Sequence, residues 1–557
     1  MKRLYIFLLL TVATLSLQAT VKPRYQGWQS HYTAEQVEQP NTNVYLQGPR
    51  RVGKHSTAPL TSLGSPRVPV ILVQFQDLKF ISGLPEGTTC ETQEDIELVN
   101  AYYDLFCNGL RDETSHWTSG GSAGAIREYF RDQSDGIFKP DFYIIGPVTL
   151  DNGYAYYGEN GSSKDKNINL FFSESVRKAQ EIYSNWNMFD NDGNGSVDMA
   201  FFVFAGEGEN AYDTSKVPEA KNYIWPKEQA SGGSINGVSY GCYACCNETY
   251  KGVSDGIGVF VHELSHALGL PDMYDYNYKG YGLDYWDIMD SGCYCQSGYV
   301  PCGYSAYEKD FMGWTSLITL DPSEPQHLVL EPQQKGGKTY KILHPSNNNE
   351  YYILENRQNK GWDTFIGRGN KDNKSHGMLI THIDYEEGSW TSNRLNTNPL
   401  NHQRCTIIAA DGIIHSYMNV YDVDSYNEFL TSVKGDPFPG IGNVTSWEGT
   451  DDIVMPYFED NTLKTLTLPV SYASGNLDQP LRNIVELADG NIELDYCPGG
   501  RVPTAVQPSF ADTHTEAILY SITGQKLGTV RMQGEHPQIN GLPAGIYLVQ
   551  GRKYVVK

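Results

Sequence analysis

The sequence has no surplus of positive charge. Lysine and arginine number 42 against 66 aspartates and glutamates, a formal net charge of −24 at pH 7. Such a balance repels nucleic-acid phosphates and anionic lipid surfaces and excludes both as partners. Charged residues of either sign are scarce at 19%, while aromatics reach 12%; disordered chains have the opposite composition, so an ordered globular protein is expected. Long apolar runs are missing after the first twenty residues, which leaves no later segment fit to span a bilayer as a helix. Two ordinary CxxC knuckles, the mark of a cysteine-type zinc site, are also lacking. The ten cysteines instead crowd at Cys242, Cys245 and Cys246 and at Cys293, Cys295 and Cys302. In an exported chain they are expected to form disulfides.

Export is suggested by Lys2 and Arg3, the apolar run Leu4–Leu17 and the small residue Ala19, which together read as a signal peptide over residues 1–19. A chain of 557 residues exceeds one ordinary core, so several domains are expected. Residues 20–66, rich in Gln, Asn, Pro and Ser, read as a pro-segment. From Val68 a β-branched run predicts a strand buried on both faces. Helices are predicted at Ser122–Asp132 and Leu170–Tyr183, and strands at Met199–Phe204 and Ile235–Tyr240. Mixed in this way, residues 67–316 read as a layered α/β domain. Short strands at Leu328–Leu330, Tyr351–Leu354 and Met378–Ile383 make residues 317–500 a β-rich accessory domain. Residues 501–557 read as a linker and a small C-terminal β-sandwich module. The expected fold class is therefore multidomain, α/β plus all-β.

The chemistry concentrates at residues 261–272, Val-His-Glu-Leu-Ser-His-Ala-Leu-Gly-Leu-Pro-Asp. His262 and His266 are four apart, so a helix presents both imidazoles on one face, one turn apart. Among the 13 histidines no other pair has this spacing. Gly269 allows the positive φ that ends a helix and Pro271 forbids its continuation. Asp272 can then return as the third zinc ligand, with the fourth position left for water. Glu263, beside the first ligand, is placed to act as general base on that water without binding the metal.

A second constellation is Asp190-Asn-Asp-Gly-Asn-Gly-Ser-Val-Asp198. Asp190, Asp192, Asn194, Ser196 and Asp198 alternate as oxygen donors around Gly195, spacing suited to calcium. Phe201 stands where an EF-hand has its bidentate Glu, so this is a weaker site or one completed from elsewhere. A plain Asn/Gly turn is the competing reading.

The segment His262–Asp275, with Tyr285-Trp-Asp-Ile-Met-Asp-Ser-Gly292, Tyr307–Trp314, Leu354–Gln358 and His382–Tyr385, resembles the immune inhibitor A type of metallopeptidase. The resemblance implies a metzincin-like zinc peptidase domain using Asp in place of a third His. It makes Met289 the Met-turn residue beneath the metal, a supporting role shared with the bend at Gly269. An extended peptide substrate is expected to add to a strand edge, placed near Ile235–Tyr240. At the C-terminus, Tyr520–Gln525 and Gly541–Val549 resemble the sorting domain of type IX secretion cargo. That implies the outer-membrane secretion machinery as a partner and a secreted or cell-surface location in a Gram-negative bacterium. The expected function is a secreted zinc-dependent endopeptidase acting on extracellular proteins. An exopeptidase, or a non-catalytic adhesin on the same scaffold, is the alternative; the intact Glu263 argues against the adhesin.

Overall fold

Apolar side chains alternate between two faces along each central strand, and this fixes the layers of the main sheet. In Arg67–Gln74, Val68, Val70 and Leu72 enter one core while Ile71 and Val73 enter another. Ser196–Glu207 divides likewise into Met199, Phe201 and Val203 against Ala200, Phe202 and Phe204. The first core takes Phe106 of the helix Gln93–Asn108 and Phe260, Val261 and Leu264 of the helix Gly258–Ala267. Phe171, Phe172 and Val176 of the helix Ile168–Ile182 fill the second. Phe201 and Phe260 stack with ring centroids 3.6 Å apart, which seats the helix Gly258–Ala267 on the sheet.

This computed structural model describes residues 58–503 apart from 112–115, 119–121, 162–163, 278, 369–374, 398–399, 418–419, 421 and 460–461, together with Leu17–Ala19 and strands between 516 and 556. Most of the expected signal peptide and residues 20–57 of the expected pro-segment lie outside the described residues. Residues 58–66 pack into the folded body: Leu60 N donates to Ala267 O at 3.0 Å and Trp314 Nε1 to Ser62 O at 2.7 Å.

Strand order in the main sheet is Leu17–Ala19, Lys227–Gln229, Val238–Tyr250, Ser196–Glu207, Arg67–Gln74, Asp141–Thr149. The last four run parallel, and Lys227–Gln229 joins antiparallel. Ile235–Tyr240 is not the edge strand expected. Asn236 and Gly237 both have positive φ and turn the chain, so that Ile235 pairs with Val238 in a hairpin.

The expected disulfides are corrected as well, because all ten cysteines are free and buried. Cys242 and Cys246 enter the core under the helix Gly258–Ala267, and Cys245 points through the opposite face. Buried this way they act as small apolar side chains, and burial pushes the Cys242, Cys246 and Cys293 thiols well up.

The second half carries a five-stranded sheet, ordered Cys405–Ile407, Gly377–Asp384, Asn347–Arg357, Tyr340–His344, Ile318–Thr319, with a three-stranded and a two-stranded sheet. It also holds a helix, Val423–Gly435, that its strand pattern conceals. Residues up to Val502 belong to one compact unit, and a single core runs from Leu60 to Tyr496. Arg357 joins the halves: fully buried, it donates from Nε and Nη2 to Asp363 at 2.8 Å and from Nη2 to Gly303 O at 2.9 Å. In the second unit, residues 503–557, the described strands form one five-stranded antiparallel sheet rather than the two facing sheets of a sandwich.

Arg357→Ala should strand Asp363 as an uncompensated buried charge and cost about 3–5 kcal/mol. Urea unfolding followed by tryptophan fluorescence checks this, and an unshifted midpoint would contradict the role given to Arg357.

Candidate metal centre

The helix Gly258–Ala267 starts where only glycine fits, since a Cβ on Gly258 would lie 1.9 Å from Cys293 O. It ends where Gly269 takes φ +94°. There Gly269 N donates to His266 O at 2.9 Å and Leu270 N to Ser265 O at 3.2 Å, which closes the helix with a Schellman motif. The chain then turns back through Pro271 and brings Asp272 over the face that carries both histidines.

Each imidazole is anchored at Nδ1, His262 to Ile288 O at 2.9 Å and His266 to Leu270 O at 2.8 Å. A backbone carbonyl can only accept, so both Nδ1 atoms carry the proton and both Nε2 atoms present a lone pair. His262 Nε2 lies 3.1 Å and His266 Nε2 3.3 Å from the same atom, Asp272 Oδ1. His266 Nε2 is buried and makes no hydrogen bond within the protein. Three donors within 4.8 Å of one another, two neutral imidazoles and one carboxylate, are a fitting set for a divalent metal with an open position. Glu263 is buried on the same helix, one residue past His262.

Two residues that carry no sequence signal complete the surroundings. Asn393, from the β-rich half, accepts from Asp272 N at 2.6 Å and donates from Nδ2 to Asp272 Oδ2 at 2.7 Å. Tyr276 OH donates to the same Oδ2 at 2.6 Å. Oδ2 is thereby committed to the protein and Oδ1 is left for a metal, the usual division between a ligand and its supports. Met289 lies buried in the turn whose Ile288 carbonyl holds His262, and its own carbonyl accepts from Met273 N at 2.9 Å. On the antiparallel strand beside the centre, burial and the charge of Asp272 push the Glu228 carboxyl up to about 8.

The residue 190–198 loop brings together only part of the expected donor set. Carboxylate oxygens of Asp190, Asp192 and Asp198 lie within 4.8 Å of one another. Asn194 Oδ1 is taken by Ser196 N at 2.8 Å, and Ser196 Oγ donates to Val197 O at 3.4 Å. Burial and repulsion from Asp192 and Asp190 push Asp198 up to about 6, despite hydrogen bonds from Asn191.

Residues 60–315, just under half of the chain, match the family described as immune inhibitor A peptidase M6, catalytic domain. That segment is similar to the catalytic domain of peptidase M6. Immune inhibitor A of Bacillus thuringiensis subsp. alesti is 24% identical over 336 residues, 52% of this chain and 48% of that protein. Pre-pro-metalloprotease PrtV of Vibrio cholerae serotype O1 is 25% identical over 277 residues, 44% of this chain and 29% of that protein. The chain thus spans about half the length of the first relative and under a third of the second, and both similarities support a metallopeptidase. The matched segment includes Tyr276 but ends before Asn393, so one of the two supports of Asp272 comes from outside it.

Asn393 sits at φ +55°, which glycine also adopts, so Asn393→Gly removes its hydrogen bonds without backbone strain. That variant and Tyr276→Phe should each weaken zinc binding by about 10–100-fold. Competition with a chromogenic chelator measures it; unaltered affinity in both would show that Oδ2 needs no support.

Proposed function

We propose that the protein is a zinc-dependent endopeptidase in which His262, His266 and Asp272 hold the metal and Glu263 is the general base. The observation that carries this reading is the aim of both Nε2 atoms at Asp272 Oδ1, with each Nδ1 already committed to a carbonyl. A bound zinc ion supplies Lewis acidity to a water and to the scissile carbonyl. Glu263, on the helix between the two histidines, takes the proton of the attacking water at its carboxylate and returns it to the leaving amine. The buried Met289 turn holds His262 in register from beneath, as in a metzincin-like site.

An extended substrate fits the antiparallel strand Lys227–Gln229, which lies on the side of the sheet away from the parallel strands. Its outer edge already pairs with Leu17–Ala19 in an antiparallel register, so this edge accepts a strand. Export through a signal peptide, removal of a pro-segment, and passage through an outer membrane by a C-terminal sorting module complete the reading. No helix among the described residues is long and apolar enough to cross a membrane. The three carboxylates of the residue 190–198 loop are proposed as a calcium site of modest affinity.

Neighbouring residues on one helix should then give opposite phenotypes. Replacing His262, His266 or Asp272 by Ala should lower zinc content and peptide hydrolysis together. Glu263→Gln should keep zinc near stoichiometric while hydrolysis falls by on the order of 10²-fold or more. A zinc-loaded Gln variant cleaving at the parent rate would remove Glu263 from the mechanism.

Calcium should raise the melting temperature of metal-stripped, zinc-reconstituted protein, because a ligand bound by the folded state alone stabilises it. Asp192→Ala should abolish most of that gain. Equal melting temperatures with and without calcium would reduce the loop to a turn.

A further inference from the structure

Two buried glutamates outside the metal centre show how a buried carboxylate is satisfied. Glu248 accepts from Ile81 N, Ser82 N and Gly206 N at 2.6–3.0 Å, and Glu350 accepts from His382 Nε2, Tyr472 N and Ala473 N at 2.7–2.8 Å. Glu228 differs. It is 2% exposed, yet its Oε2 makes no hydrogen bond, an arrangement that is costly unless a donor arrives from outside the folded chain.

Its direction follows from the strand register. Glu228 lies opposite Ala244, and directly opposed residues of an antiparallel pair project to the same face. Ala244 belongs to the core that contains Val261 and Leu264 of the active-site helix. Glu228 therefore faces the metal centre, close enough for the charge of Asp272 to act on it. Lys227 projects to the other face, where its Nζ pairs with Asp165, so the cation next in sequence cannot neutralise Glu228. On the outer edge of this strand, the segment Leu17–Ala19 sets residue 18 opposite Glu228. A peptide in that register presents one side chain to the face where the Glu228 carboxylate waits.

We infer that Glu228 is a specificity-determining residue that selects a basic side chain, arginine or lysine, at the substrate position paired opposite it. This rests on the reading of the centre as a metallopeptidase with its substrate along Lys227–Gln229. A cationic N–H donor fits because it satisfies the open oxygen and its charge favours the ionised carboxylate that burial and Asp272 otherwise oppose, which gives the stronger, charge-assisted bond. A neutral aliphatic residue there leaves that oxygen unpaired, and sites built to pair a polar group discriminate strongly against partners that lack it.

The test uses the processed, zinc-loaded enzyme and quenched-fluorescence peptides of one parent sequence. Each position around the cleaved bond carries Arg, Gln, Leu or Glu in turn. At one position kcat/KM for Arg should exceed that for Leu by about tenfold or more. Glu228→Gln should bring the ratio to within about threefold of unity, and Glu228→Lys should shift the preference to Glu. The ratio is internal to each enzyme preparation, so partial misfolding of a variant does not change it. A parent enzyme without a basic preference at any position, or a Gln variant that keeps it, overturns the inference while leaving the metallopeptidase reading intact. Peptide cleavage that is absent in the parent, or indifferent to a zinc chelator, overturns both.

Discussion

Two backbone carbonyls hold the centre together. Ile288 O and Leu270 O each accept a hydrogen bond from an imidazole Nδ1, and that choice of tautomer turns both Nε2 lone pairs toward Asp272. Neither carbonyl is available without the bends that precede it. Leu270 follows the positive φ of Gly269 at the helix terminus, and Ile288 belongs to the turn in which Met289 N donates to Asp287 Oδ1 at 2.7 Å. The helix presents two imidazoles, and the two turns aim their Nε2 atoms at Asp272 as the proposed metal centre requires.

Those turns depend on the β-rich half. Asn393 reaches Asp272 from 121 residues downstream, and Arg357 ties the strand Asn347–Arg357 to Gly303. Trp286, just ahead of the Met289 turn, donates from Nε1 to Asp436 at 3.0 Å. Residues 317–500 therefore act less as an accessory domain than as the second wall of the centre. The continuous core running through both halves has the same consequence, since packing strain at one side is transmitted to the other.

What could be read from the sequence was what is local in the chain. The His262–His266 spacing, the helix stop at Gly269 and Pro271, and the return of Asp272 are decided within a dozen residues, and the structure brings all of them to one point. The central strands were legible for the same reason: a continuous β-branched run has few other places to go. Ile235–Tyr240 misled because its apolar pattern suits a strand while Asn236-Gly237 turns it, so local turn chemistry overrode the periodicity. The cysteines misled because compartment says only that pairing is permitted, whereas here all ten are buried singly as small apolar side chains. Asn393 and Glu228 were invisible because their meaning arises only from tertiary contact, and Tyr276, though four residues from Asp272, carries no motif that marks it as a support. No spacing announces a residue that supports a carboxylate 121 positions away.

The central claim is that this constellation is an open three-ligand metal centre. Anomalous scattering at the zinc edge from crystals of zinc-loaded protein addresses it without relying on turnover. The account predicts one strong peak about 2.0–2.2 Å from His262 Nε2, His266 Nε2 and an Asp272 oxygen, with a solvent molecule rather than a fourth side chain completing the coordination. A peak elsewhere, or a centre closed by four protein ligands, would contradict it.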